Sequence, residues 1–174
     1  MIIKKEEKIN FLSPKCHWDR VHRGNFQLIN KMSNFSFFLS YYHFALFKII
    51  KKFVSQNYKN VIEIGCAPGN YLVKFRNILE LEPFGVEYSK EGYDKTAANL
   101  LHYRISKDNV IFCDFFDPDF LSKNRNAYDV VFSTGFIEHF RNHKKNFKQI
   151  IKKYPLQCKT KILKGFYHFI LCLI

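Results

Sequence analysis

The chain has 174 residues, of which 47% are hydrophobic, 18% aromatic and 25% charged, with seven glycines and five prolines. This composition argues against collagen-like, low-complexity and disordered classes and is sufficient for the core of one globular domain. The five cysteines form no Cys-x-x-Cys pair, and no apolar leader precedes a small-residue cleavage site. Both observations argue against a zinc ribbon and a disulfide scaffold and favour a reducing cytoplasm.

The net charge of +13 is unevenly distributed along the chain. Residues 1–60 and 141–174 carry net charges of +8 and +9, whereas residues 61–140 carry −4. We interpret the basic flanks as solvated, lysine-rich helix faces. The alternative is attraction to an anionic partner, such as a phosphorylated glycan precursor, a membrane surface or RNA.

The predicted elements alternate between helices and strands. Residues 1–36 show no sustained period and predict an N-terminal arm with a short helix around Trp18, followed by a domain over 37–174. Apolar residues at three- and four-residue spacing predict a helix from Phe37 to about Gln56. The later predicted elements are a strand at 61–64, a helix at 69–80, a strand at 84–87, a helix at 91–105, strands at 109–113 and 128–133, and a helix at 143–153. This order is typical of an open, mainly parallel α/β sheet with helices on both faces, Rossmann-like in architecture, which binds ligands beyond the carboxyl ends of its strands.

A glycine-bearing turn, E-I-G-C-A-P-G-N, follows the first predicted strand. A dinucleotide site would place glycine at the first, third and sixth positions, which here hold Gly65, Ala67 and Asn70. The turn instead resembles the first motif of the class I S-adenosylmethionine-dependent methyltransferases, an acidic residue, any residue, then Gly-x-Gly-x-Gly, with Ala67 in place of the middle glycine. The resemblance implies that the loop residues contact the cofactor and that the preceding acid supports the loop or the cofactor amine. The residues concerned are Glu63, Gly65, Cys66, Ala67 and Gly69.

Three further strand ends match this family in order, within the motif region 61–140. F-G-V-E-Y-S supplies Glu87 for the two ribose hydroxyls and Tyr88 for the adenine face, and I-F-C-D-F-F supplies Asp114, with Phe115 beside it, for the adenine amino group. The strand Y-D-V-V-F-S-T-G-F then places Ser133 and Thr134 at the mouth of the methyl-transfer pocket, as the resemblance implies. The alternative role for Glu87 and Asp114 is to cap the helices that follow them.

The resemblance implies an enzyme that binds S-adenosylmethionine and transfers its methyl group to a small-molecule or glycan-type acceptor. His139 is the candidate general base, and a place at the start of a helix is its alternative role. Family resemblance also makes His17, Trp18 and Arg20 candidates for closing over the cofactor. We find no metal site in the sequence. The remaining alternatives are an RNA or protein methyltransferase and a catalytically inactive cofactor-binding or assembly subunit.

The C-terminal region departs from the family pattern. The family's sheet has seven strands, but only 21 residues follow Lys153, enough for one further strand. We therefore expect a shortened domain, from a truncated reading frame or in a chain that self-associates through an incomplete sheet edge. The final apolar run, GFYHFILCLI, is shorter than a membrane span, so no transmembrane segment is expected.

Overall fold

The computed structural model describes residues 15–24, 33–134, 136 and 169–173. Within these residues the helices are α1 (Lys15–Gly24), α2 (Ser33–Lys51), α3 (Asn70–Leu79), α4 (Lys90–His102) and α5 (Pro118–Lys123). The strands are β1 (Asn60–Ile64), β2 (Glu82–Glu87), β3 (Val110–Phe112), β4 (Val130–Thr134) and β5 (Phe169–Leu173). None of the helices in these ranges is long and apolar enough to cross a lipid bilayer.

The strands form one sheet in the order β3-β2-β1-β4-β5. The first four strands are parallel, and β5 pairs antiparallel with β4. This arrangement confirms the predicted open, mainly parallel α/β sheet and the single strand expected in the C-terminal region. β5 forms an edge of the described sheet, and self-association through such an edge stays a prediction. The helix predicted at 143–153 lies outside the described residues.

The sheet is buried on both faces, which explains why β1 has a nearly continuous apolar sequence. Val61 packs against Phe47 of α2 and Phe75 of α3 on one face. Ile62 belongs to the cluster on the other face, which includes Phe120 of α5. Because successive side chains of a strand point to opposite faces, β1 fills the core on both faces, and the space for a ligand lies beyond the carboxyl ends of the strands.

Local sequence signals explain where the helices begin and end. The Ser89 side chain accepts a hydrogen bond from the Gly92 N–H and caps α4. Asp117 caps α5, with Pro118 at the first helical position, although the periodicity did not predict this short helix. α4 ends at His102, three residues before its predicted end, because Arg104 adopts a left-handed conformation with φ 58° and the Ile105 N–H bonds back to the Leu100 carbonyl.

A pair of side chains fixes the register of β1 against β4 at the amino ends of both strands. The Asp129 carboxylate accepts hydrogen bonds from the Lys59 N–H at 2.6 Å and from the Asn60 N–H at 3.2 Å. In return the Asn60 side-chain oxygen accepts the Asp129 N–H at 2.8 Å. A slip of one residue would break all three bonds and turn each side chain to the opposite face.

Gly69 joins the glycine-bearing turn to α3 in a left-handed conformation, with φ 89°. A Cβ atom at this position would lie 2.9 Å from the Thr96 Cγ2 atom of α4. The position therefore needs glycine for its backbone conformation and for the close approach of α4.

We expect Gly69→Ala to lower the free energy of unfolding by about 2 kcal/mol or more, because it adds both backbone strain and a clash. Thr96→Ser removes the clashing methyl group but keeps the hydroxyl that donates to the Gly92 carbonyl at 2.8 Å. The cost of Gly69→Ala should thus be smaller in the Thr96→Ser background, as measured by urea denaturation of all four proteins. An equal loss of unfolding free energy in both backgrounds would show that the contact with Thr96 does not contribute to the cost of Gly69→Ala.

Candidate functional site

A cavity of about 270 Å³ lies at the carboxyl ends of the parallel strands. Seven of the residues predicted to bind the cofactor line it: Gly65, Ala67, Glu87, Tyr88, Asp114, Phe115 and Thr134. The wall also contains six residues outside that set: Trp18, His22, Ile64, Val86, Cys113 and Phe136. The topology thus brings the ends of β1, β2, β3 and β4 to one space, together with α1 from the N-terminal arm.

Glu87 ends β2 and is 6% exposed. Its carboxylate accepts hydrogen bonds from the Ser89 N–H at 2.9 Å and from the Ala67 N–H at 3.2 Å. An ionised carboxylate has about four acceptor positions, so Glu87 keeps capacity for ligand hydroxyls while it holds the loop. It therefore connects the glycine-bearing turn to the start of α4 and also faces the cavity.

Asp114 and Phe115 lie just past the end of β3, next to Glu87 in the sheet. One Asp114 oxygen accepts the Phe116 N–H at 2.9 Å, which closes a tight turn rather than capping a helix. The Phe115 ring is buried and packs edge-on against Phe136 at 5.8 Å. Together they give this end of the cavity a carboxylate beside apolar aromatic walls.

Four predicted cofactor-binding residues lie behind the cavity wall rather than in it: Glu63, Cys66, Gly69 and Ser133. Cys66 is buried, and burial raises the pKa of its thiol well above the ordinary value. The Ser133 hydroxyl donates to the Ile64 carbonyl at 3.3 Å. In the positions observed, these residues shape and support the loop, and direct contact with a ligand stays a prediction.

Thr134, at the end of β4, connects the cavity to a group of aromatic side chains on α2 and α3. Its side chain is hydrogen-bonded to the Tyr71 hydroxyl, and burial raises the pKa of Tyr71 to about 12. The Tyr71 ring packs edge-on against His43 at 5.1 Å and against Phe132 at 5.3 Å. Tyr71 therefore stays protonated at neutral pH and orients Thr134 at the cavity.

The N-terminal arm contributes one expected and one unexpected residue. Trp18 was a candidate and lines the cavity, whereas His17 and Arg20 of the same helix are exposed and lie outside its wall. His22, one helical turn after Trp18, was missed. Residues four apart lie on the same face of a helix, so the spacing of Trp18 and His22 is the signal that could have identified His22. This signal applies only once α1 is known to pack beside the cavity.

His139, the candidate general base, lies outside the described residues, and its role stays a prediction. Among the described residues, no group of three His, Cys, Asp or Glu side chains could hold a metal ion.

Comparison with known families shows which protein family shares these features. A family model described as a methyltransferase domain matches residues 38–155, more than half of the chain and all of the strand ends from β1 to β4. The chain belongs to the class I S-adenosylmethionine-dependent methyltransferases. A search among curated proteins gave no significant match.

Solved structures similar to this methyltransferase have low sequence identity to it. A putative caffeoyl-CoA O-methyltransferase from Staphylococcus aureus is 16% identical, with a TM-score of 0.46, over 91% of this chain and 98% of that one. A precorrin-6y C5,15-methyltransferase from Geobacter metallireducens GS-15 is 10% identical, with a TM-score of 0.44, over 72% and 85% of the two chains. A putative S-adenosylmethionine-dependent methyltransferase from Methanococcus maripaludis is 12% identical, with a TM-score of 0.41, over 99% and 96%.

The residues of the methyltransferase cavity are compatible with the cofactor of the family. S-adenosylmethionine offers two ribose hydroxyls and an adenine amino group as donors, and the cavity wall contains the carboxylates of Glu87 and Asp114 as acceptors. The cofactor also carries two positive groups, a sulfonium and an ammonium. Behind the loop lies Glu63, which is 2% exposed and whose Oε2 atom has no hydrogen-bond partner in the part of the chain described. A buried carboxyl oxygen without a partner is costly, so a nearby cationic ligand would relieve this cost.

Burial, reinforced by the nearby Glu87 carboxylate, raises the pKa of Glu63 well above its ordinary value. The group is therefore protonated in the folded protein at pH values where it is ionised in the unfolded chain. Folding then takes up a proton, and the stability that Glu63 contributes falls as the pH rises above the unfolded pKa of about 4.3.

We expect Glu63→Gln to reduce this loss of stability, because the amide has nearly the same shape and does not ionise. The advantage of the variant should grow by up to about 1.4 kcal/mol per pH unit above the unfolded pKa. Urea denaturation of both ligand-free proteins from about pH 5 to about pH 8 measures the difference, with Glu82→Gln, at the amino end of β2, as the control. Parallel stability curves for the wild type and Glu63→Gln would contradict the raised pKa.

Proposed function

We propose that this chain binds S-adenosylmethionine in the cavity at the strand ends and transfers its methyl group to a small-molecule or glycan-type acceptor. One observation carries the proposal: Glu87 and Asp114, at the ends of neighbouring strands, line the same cavity as Gly65 and Ala67 of the turn. These are the groups that the ribose, the adenine and the amino-acid part of the cofactor would require at one place.

The side chains of the cavity supply binding and orientation rather than covalent chemistry. The bound cofactor would supply an electrophilic methyl group on a sulfonium sulfur. Glu87 would accept the ribose hydroxyls, and Asp114 would accept the adenine amino group. The apolar walls formed by Phe115 and Phe136 would exclude water and hold the ring. This fixed geometry lowers the entropic cost of bringing a nucleophile to the methyl group.

The proposed acceptor class depends on charge and on the shape of the site. The central region, residues 61–140, carries a net charge of −4, which disfavours a phosphate backbone next to the cavity. The aromatic walls of the partly open cavity favour a compact organic partner beside the cofactor. An acceptor hydroxyl or amine must also lose a proton, and we propose His139 as the base that removes it.

A second acceptor class, RNA, is favoured by the exposed face of α2. Tyr41 and Phe44 are each 65% exposed and lie on the same helix as the exposed Lys48 and Lys51. Aromatic rings beside lysines can stack on bases and pair with phosphates.

Replacement of Glu87 tests the cofactor site directly. We expect Glu87→Gln to weaken binding of S-adenosylhomocysteine by roughly 10- to 100-fold, because the neutral amide has one acceptor oxygen in place of the two that hold Ser89 and Ala67 and accept ligand hydroxyls. Isothermal titration calorimetry measures the affinity of the purified chain.

Glu82→Gln is the matched control, since Glu82 is the same residue type on the same strand but at the opposite end. It should bind like the wild type. Failure of the folded wild-type chain to bind S-adenosylhomocysteine would overturn the proposed function, and equal affinity of Glu87→Gln would overturn the role of Glu87.

Release of S-adenosylhomocysteine across a panel of small hydroxyl, amine and glycan acceptors tests the reaction. We expect turnover with one of these classes, at a rate roughly 10- to 100-fold lower for Glu87→Gln when the cofactor concentration is below saturation. Turnover confined to RNA, together with RNA binding that weakens steeply with salt and on replacement of Tyr41 and Phe44 by Ala, would favour the second acceptor class instead. Cofactor binding without turnover of any acceptor would indicate a catalytically inactive subunit.

A further inference from the structure

Helix α1 is held against α4 beside the cavity by polar contacts along its length. The Ser89 hydroxyl donates to the Asp19 carboxylate at 2.7 Å, and the Arg23 guanidinium pairs with Glu91 at 3.1 Å. The Lys95 ammonium donates to the His22 carbonyl. These contacts fix both the position and the rotation of α1, so that one face of the helix becomes part of the cavity wall.

Trp18 and His22 form that face. Their ring centroids lie 6.3 Å apart with an angle of 34° between the planes, and both rings line the cavity together with Glu87. The exposed His17, on the same helix, packs edge-on against the other side of Trp18 at 5.3 Å and is not part of the wall. The chain thus places one histidine in the ligand space and a second histidine outside it.

Three charged groups act on His22, one from each element packed around it. Glu87 of β2 and Asp19 of α1 favour the protonated ring, whereas Lys95 of α4 disfavours it. Burial is the largest influence and lowers the pKa of His22 below its ordinary value. The imidazole is therefore neutral at neutral pH, with one nitrogen as a donor and the other as an acceptor.

We propose that His22 is a ligand-binding residue of the cofactor site, which hydrogen-bonds the ligand as a neutral imidazole beside Glu87 and releases it when the imidazole is protonated. The inference rests on the proposed function, because the ligand is the cofactor or its demethylated product. A protonated His22 would pair with Glu87 and occupy an acceptor that the ligand needs. It would also repel a cationic ligand, so S-adenosylmethionine should be affected more than S-adenosylhomocysteine, which lacks the sulfonium charge.

The experiment combines three variants with one internal probe. His22→Ala removes the hydrogen bond, His22→Gln keeps a donor and an acceptor but does not titrate, and His17→Ala is the matched control on the same helix. Trp18 is the single tryptophan of the chain, so its fluorescence reports on ligand binding and on the protonation of its histidine neighbours. The affinity for S-adenosylhomocysteine is measured by calorimetry and by Trp18 fluorescence from about pH 5 to about pH 8.

We expect the wild type and His17→Ala to bind tightly at neutral pH and to lose up to about tenfold in affinity per pH unit below the pKa of His22. His22→Ala should bind about 3- to 10-fold more weakly at neutral pH, as expected for one lost hydrogen bond. His22→Gln should recover most of that affinity and lose the pH dependence. S-adenosylhomocysteine should also shift the pH titration of Trp18 fluorescence in the wild type to lower pH, because binding favours the neutral imidazole.

Several outcomes would overturn the inference. If both His22 variants keep the wild-type affinity and pH profile, His22 does not bind the ligand, and the proposed function still stands. If a His22 variant fails to fold, the pH titration of Trp18 fluorescence in the wild type decides, and a titration that the ligand leaves unshifted counts against the inference. If the wild type binds no S-adenosylhomocysteine at any pH, both the inference and the proposed function fail.

Discussion

The carboxylate of Glu87 accepts the backbone N–H groups of Ala67 and Ser89 and so joins the glycine-bearing turn to the start of α4. Ser89 in turn caps α4 and donates its hydroxyl to Asp19 of α1. Three segments that are distant in sequence therefore meet through two neighbouring buried side chains, Glu87 and Ser89. The Glu87 carboxylate positions the loop and the start of α4, and it is also the group best placed to bind a ligand.

The same arrangement brings two carboxyl groups together where the protein can least solvate a second negative charge. Glu63 and Glu87 are both buried and act on each other, and the result is a raised pKa for Glu63. Sites that bind charged ligands commonly carry such unfavourable pairs, because the ligand relieves the repulsion. In this methyltransferase the positive charges of the family's cofactor would lower the cost of ionising Glu63 beside Glu87. Binding and stability are consequently linked at this one place.

The sequence predicted the parts of the site that depend on local signals. β-branched runs and the turn residues predicted the four parallel strands and the acids at or near the ends of β1, β2 and β3, because a parallel sheet brings its carboxyl ends to one edge. The Asp-Pro pair at 117–118 is a start signal for α5 that the hydrophobic periodicity did not show.

The direction of side chains was harder to predict. Ser133 and Thr134 are neighbours on β4, and only Thr134 lines the cavity, because adjacent residues of a strand point to opposite faces. The contribution of His22 could not be predicted, since it depends on where α1 docks, and a contact 70 residues apart in sequence helps to fix that position.

The reciprocal bonds between Asn60 and Asp129 lie at the opposite end of the sheet from the cavity, yet they bear on how the site is assembled. They join strands separated by 69 residues, and the cavity wall itself draws on residues from Trp18 to Phe136. During synthesis, the loop, β2 and β3 emerge before β4 can insert beside β1. Closing so long a loop is slow compared with forming local structure. The nascent chain therefore exposes the carboxyl ends of its first strands before the cavity can form. A ligand can bind only chains in which β4 has already paired with β1.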